Sequence, residues 1–258
     1  MKAGFAALAV LLTVSSVVPA QPARANDPKL DAHLEAWEKK MAGVVNLRSD
    51  VTLTRTDSVL KRATTFKGAA LCMKPTFARV RLENAADQTK RDYEAWICNG
   101  KAVYVYNGLA KTVTEFELPK SGRGADNLLL DFLAGMKAKD VKERFKVALS
   151  ATDEHYVYLA IEPVLGNDQR EFKHILLALY GPGPKTAALS YLPAEIRILK
   201  PNDDLESWKF SGLKVDVPNV DAKLFQYEEI KGWELRKPPP QPIAGGPTPG
   251  TPVRPNKP

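Results

Sequence analysis

Apolar and polar positions alternate with a period of two over most of the chain, and this is the signature of strands in a sheet with one wetter face. "LRSDVTLTRT" sets Leu47, Val51 and Leu53 on one side; "FKGAALCM" follows a loop; "PTFARVRLE" sets Ala78, Val80 and Leu82 against Arg79 and Arg81. "TVTEFELP", "FKVALS", "HYVYLAIEP", "EFKHILLALY", "AEIRILKP" and "LESWKFSGLKVDV" read the same way, the last two joined by a turn at Pro201 to Asp204. The stretch "YEAWICNGKAVYVYNG" breaks the rule. Asn99-Gly100 between alternating apolar residues predicts a hairpin with a two-residue type I′ loop. That register places Cys98 opposite Lys101, Trp96 with Val103 and Glu94 with Val105 on one face. Ile97 with Ala102, Ala95 with Tyr104 and Tyr93 with Tyr106 fall on the other. Both faces are oily.

Period 3.6 occurs in two places. Asp27 is a helix cap before Pro28 at the first helical position, and Leu30, Leu34, Trp37, Met41 and Val44 form one apolar stripe. In "GADNLLLDFLAGMKAKDVKERF", Asp126 is a candidate cap for a helix carrying Leu128, Leu129, Phe132, Leu133 and Met136, too apolar to lie in water and ending near Gly135 or Lys137. Nine to eleven strands with two or three helices, the helices confined to two places, predict an α+β fold. Helices then cover one face of a large antiparallel sheet.

The ends differ in composition from this body. Residues 1–25 combine Lys2, an apolar run from Phe5 and the small-x-small triplet Ala23-Arg24-Ala25, which predicts a cleaved signal peptide and an exported, periplasmic protein. No cysteine lies near the cleavage site, and no later stretch approaches the ~18 apolar residues of a transmembrane span. From Lys237 to Pro258 the chain holds nine of its twenty prolines and little to bury, predicting a disordered Pro-rich tail after a body of residues 26–236.

Charge follows the same division. Of 37 basic residues, five (Lys2, Arg24, Lys237, Arg254, Lys257) lie in the two ends, leaving 32 against 30 acidic residues, or +2, in the body. That is no footprint for nucleic acid. The two cysteines, Cys72 and Cys98, share an end of the sheet but stand two strands apart, roughly 9–10 Å at ~4.8 Å per strand, beyond the ~7 Å reach of a disulfide. Two buried free thiols are expected, a bridge requiring an irregular meander.

Catalytic patterns are missing. His33, His155 and His174 are scattered and none opens a His-Glu-x-x-His helix; there is no Gly-x-Ser-x-Gly elbow, P-loop or dinucleotide-binding glycine pattern. Asp203 and Asp204 fit the turn they sit in better than a paired acid and base. The expectation is a protein that is not an enzyme and needs neither cofactor nor metal.

Three segments in order, "GAALCMKPTFARVRL", "AWICNGKAVYVYN" and "NVDAKLFQY", resemble the LolA-type carriers of bacterial lipoproteins, with similarity over roughly residues 28–228. The resemblance implies a half-open antiparallel β-barrel whose concave face is covered by helices and whose apolar cavity receives acyl chains. Trp96, Val103 and Val105 would then join Val80 and Leu82 at the cavity, with Leu129, Phe132 and Met136 facing them from the helix. Tyr93, Tyr104 and Tyr106 would lie on the convex side with wet hydroxyls, or the assignment of faces is reversed. In the carriers an Arg before the Pro holds the helical lid; here that place is Lys74, a lone ammonium without the planar fork of Arg, and Ala78 replaces the aromatic residue that often follows. The expected ligands are lipid acyl chains or lipoproteins. The alternative is an interaction or sensor protein of the envelope, binding a protein partner through the same fold.

Overall fold

The computed structural model describes residues 27–118, 133 and 135–237. Leu128, Leu129 and Phe132, residues 1–26 and residues 238–258 lie outside them. Among the described residues twelve strands form one sheet: β1 (Asn46–Thr56), β2 (Ala63–Met73), β3 (Phe77–Asn84), β4 (Tyr93–Asn99), β5 (Ala102–Asn107), β6 (Thr112–Glu117), β7 (Phe145–Thr152), β8 (Tyr156–Pro163), β9 (His174–Tyr180), β10 (Pro193–Leu199), β11 (Leu205–Val215) and β12 (Glu234–Arg236). Their order is β12-β6-β5-β4-β3-β2-β1-β11-β10-β9-β8-β7. Two antiparallel meanders are thus joined where β1 pairs with β11, and the sheet stays open at β7 and β12. This is the predicted half-open α+β barrel.

Helix α1 (Pro28–Gly43) lies in the concavity. Asp27 caps it, Oδ1 accepting from the Lys29 N–H at 2.9 Å, and Leu30, Leu34, Trp37 and Met41 are buried. They share one core with Val51, Leu53, Val80 and Leu82 of the first meander and Leu159, Ile161, Leu177 and Ile196 of the second. A single apolar stripe therefore glues both halves of the sheet. Two short helices follow, α2 (Ala138–Arg144) and α3 (Gly166–Glu171). The Ala138 N–H at the start of α2 donates to Glu38 of α1, and Arg144 at its end grips buried Asp168 of α3 through two hydrogen bonds of 2.8 and 2.9 Å.

The sheet curls tightly enough for inward side chains on distant strands to meet. Trp96 on β4 and Trp208 on β11 stand four strand positions apart, roughly 19 Å in a flat sheet, yet their ring centroids are 6.0 Å apart.

Two expectations need correction. The β4–β5 register is shifted by two residues: Cys98 faces Val103, Trp96 faces Val105 and Ala95 faces Tyr106. The loop is longer than a type I′ turn because Asn99 does not enter the left-handed region. Its Oδ1 instead accepts from the N–H groups of Lys101 and Ala102 at 3.0 and 2.9 Å, and only Gly100 takes a positive φ, +83°. A shift of two leaves each side chain on its expected face.

The second correction concerns water. The convex face is not wet over the tyrosines, because residues 220–236 return as a strap across it. Phe225, Val220, Tyr227, Ile230 and Trp233 form a second core with Ile97, Tyr106 and Val113. The Tyr106 hydroxyl donates to the Glu228 carbonyl (3.0 Å), accepts from the Glu228 N–H (2.9 Å), and is pushed by burial up to about 12. Both faces of the hairpin are apolar because both are covered. The strap ends in β12, a parallel addition to β6 that the sequence pattern did not show.

Candidate functional site: a cavity at one end of the half-barrel

A cavity of about 700 Å³ opens where α1 ends, beside the β2–β3 and β4–β5 turns. Its floor is one row of side chains running straight across four strands: Leu47 on β1, Cys72 on β2, Ala78 on β3 and Cys98 on β4, each paired with the next in the ladder. Met41 and Val44 at the end of α1, with Leu118 and Leu133, supply apolar walls. Polar groups gather at the rim: Lys74 and Thr76 in one turn, Asn99 and Lys101 in the other, with Glu115 and Glu117 of β6.

On β3 and β4 the floor residues are small. One inward position deeper on these two strands stand Val80 and Trp96, which are larger, while β1 and β2 there carry Ser49 and Ala70. Val80 and Leu82 are fully packed into the main core, with Trp96, Val103 and Met136 against it. The structure thus places the concave-face residues Val80, Leu82, Trp96, Val103 and Val105, and Met136, outside the cavity lining; Lys74 lies within it. Leu129 and Phe132 lie outside the described residues. Sequence reading missed the floor itself. Its signal was present in Cys72, Ala78 and Cys98, three small residues at matching inward positions of consecutive strands.

Lys74 contacts the end of α1. Its ammonium donates to the carbonyls of Met41, which also accepts the capping Val44 N–H, and, at 2.9 Å, of Ala42, in the last turn of α1. A cation there also meets the negative end of the helix dipole. Gly135, with φ +84°, packs its Cα against Met41 where a side chain would collide.

Neither floor thiol is primed for chemistry. Burial pushes Cys72 up to about 12, with Cys98 adding to the effect, and burial also raises Cys98, whose Sγ donates to the Thr76 carbonyl at 2.8 Å. Both are free, two strands apart with Ala78 between them. The histidines lie elsewhere. His33 bonds the Tyr191 hydroxyl at 3.1 Å and is lowered by burial, and His155 lies 3.3 Å from Glu154. Among the described residues no group of three or more His, Cys, Asp or Glu side chains could hold a metal ion. Asp203 and Asp204 serve the β10–β11 turn, Asp203 pairing with Lys173 and Asp204 accepting from the Ser58 N–H.

Fold and cavity together define an open half-barrel with a cavity at one end. Neither family models nor curated proteins match this sequence. Several solved structures do resemble it. An uncharacterized conserved protein from Thermus thermophilus is 10% identical with TM-score 0.48, over 81% of this chain and 99% of that one. A LolA superfamily protein from Nitrosomonas europaea is 8% identical with TM-score 0.38, over 75% and 96%. MucB of Pseudomonas aeruginosa, in complex with MucA, is 14% identical with TM-score 0.39, over 77% and 59%.

Proposed function

We propose that this protein is an exported, non-catalytic binding protein that holds an acyl chain, of a lipid or a lipidated protein, in the cavity at the end of α1. The observation that carries the reading is the floor of Leu47, Cys72, Ala78 and Cys98, an apolar surface bared by small side chains under about 700 Å³ of space, within the range of ligand pockets. Each CH₂ moved from water onto such a surface contributes ~0.8 kcal/mol. The polar rim keeps a head group wet while the chain is buried. Among the described residues, no helix is long and apolar enough to cross a membrane.

Native mass spectrometry of the purified mature protein tests this directly. Co-purifying lipid, displaced by added fatty acid, supports it. A clean apo mass with no fatty-acid uptake overturns it, and a protein captured through the half-barrel would then favour an envelope interaction role.

A further inference from the structure

The end of the sheet opposite the cavity has a character of its own. Three hairpin turns reach it side by side: β1–β2 (residues 57–62), β3–β4 (85–92) and β5–β6 (108–111). Successive turns are two strands, roughly 10 Å, apart. The first and third carry large aliphatic side chains in open solvent: Val59 is 83% exposed, Leu60 62% and Leu109 67%. Each turn also places a lysine in the left-handed region, Lys61 (φ 54°), Lys90 (φ 55°) and Lys111 (φ 52°). Glycine or asparagine sits there at least cost, so three lysines, standing one to three residues before the strand that follows, are a local conflict that folding alone does not account for.

The acidic residues of these turns hold the turn backbones and keep their charge, so the three turns set five cations against three carboxylates. Asp57 Oδ1 accepts from the N–H groups of Val59 and Leu60 at 2.8 and 2.6 Å. Asp87 accepts from Thr89, Arg91 and Asp92 N–H groups, and Asp92 from the Asn84 amide. Ser58 binds the Asn202 carbonyl and the Asp204 carboxylate, fixing the first turn to its neighbour. The exposed groups left at the tips are Val59, Leu60 and Leu109 with Lys61, Arg62, Lys90, Arg91 and Lys111; Lys90 lies 3.6 Å from Glu83.

We infer that this end of the half-barrel docks on an anionic lipid surface, the aliphatic tips entering the interface while the lysines and arginines meet lipid phosphates. Rigid turns present the aliphatic groups without ordering cost on contact, and cations beside them are attracted to a negative leaflet. Docking this way leaves the cavity at the opposite end free. The inference does not depend on what that cavity holds.

Cosedimentation of the mature protein with vesicles tests it, comparing phosphatidylcholine alone with phosphatidylcholine containing about a third phosphatidylglycerol. Binding is expected to the anionic vesicles, weakening with added salt as charges are screened. The double variant Lys61→Gly, Lys111→Gly should bind roughly twenty-five-fold more weakly, about fivefold per lysine, while its urea midpoint does not fall, since glycine relieves the left-handed backbone. Lys61→Arg should retain binding, and Leu60→Ser should lose it several-fold. Ala78→Leu, in the cavity floor, should leave vesicle binding unchanged. Failure to bind anionic vesicles, or equal binding by the double variant, overturns the inference. So does a protein that needs these tips while vesicles do not bind.

Discussion

Arg55 of β1 and Glu94 of β4, three strands apart in the sheet, meet in a bidentate pair with bonds of 2.6 and 2.9 Å. A flat sheet would hold their backbones roughly 14 Å apart, so the pair records the curl of the first meander. Arg55 also lies 3.4 Å from Glu206 and 5.2 Å over the Phe66 ring, and Trp96 and Trp208 touch one inward position nearer the cavity. The ion pair and the two indoles therefore clasp the end of the barrel that the cavity does not use. Glu94→Gln removes the charge and one good acceptor, and should lower stability by about 1.5–2 kcal/mol, a fall of roughly 4–8 °C in melting temperature for a body of this size. Arg55→Lys, which keeps the charge but loses the fork, should fall between Glu94→Gln and the parent protein. Thermal melts of the three proteins check this; an unchanged Glu94→Gln melt would show that the pair does not shape the barrel.

Ala78 and Val80 are successive inward residues of β3, yet they should respond oppositely to enlargement. Ala78 borders empty space, so Ala78→Leu fills the cavity and should weaken fatty-acid uptake at least tenfold with stability changed by less than about 1 kcal/mol. Val80 is enclosed by the core, so Val80→Phe should cost about 1–3 kcal/mol and leave the affinity of the folded fraction nearly unchanged. Fluorescent fatty-acid titration beside urea unfolding separates the two. Equal effects on uptake would mean that the floor is not where the chain lies.

The thiols give the protein an alkaline limit. Cys72 ionises near 9 when unfolded and near 12 when folded, so below pH 9 both states keep the proton and its burial is harmless. As pH rises from about 9 toward 12, the unfolded chain releases this proton and the folded chain does not, and stability falls. Cys72→Ala should make that part of the curve shallower, leaving the decline due to Cys98, which burial also raises, and above pH 10 that due to Tyr106, which burial raises to about 12. Urea midpoints at pH 8 and pH 10.5 measure the difference. In the same protein at pH 8, alkylation of Cys72 and Cys98 should be slow in the folded state and slower still with a fatty acid bound over them.

The periodic elements were legible in the sequence for a physical reason. α1 announces itself through Asp27, Pro28 and the stripe from Leu30 to Met41, and most strands show a period of two because burial differs between their faces, whereas β4 and β5, covered on both, are marked by the Asn99-Gly100 turn between them. The β4–β5 loop was misread because Asn99 satisfies two backbone N–H groups with its side chain, an option that the residue pair Asn-Gly does not reveal. β12 and the strap were missed because "LFQYEEIKGWELR" has neither period; its aromatic residues earn their burial only against a sheet face assembled 120 residues earlier. The cavity was placed one position too deep for a related reason. Periodicity tells which face a side chain takes, and only the ladder shows that three small residues fall in one row.

Phe225 offers the sharpest check of the strap. It is fully buried, its ring centroid 5.5 Å from that of Phe77, in a segment whose backbone lies outside the antiparallel ladder. Around it Arg79 reaches the Leu224 carbonyl and Glu228, and Tyr106 holds Glu228 by two bonds, so the strap is fastened by polar contacts on either side of one apolar anchor. Phe225→Ala should cost about 3–5 kcal/mol, far more than Leu224→Ala, whose side chain is 42% exposed. If the strap unfastens locally before the rest unfolds, hydrogen exchange of β12 and of residues 226–230 should accelerate in Phe225→Ala while β1, β2 and β11 keep their protection. Loss of protection throughout the sheet would instead make the strap an integral part of the core, its removal unfolding the half-barrel as a whole.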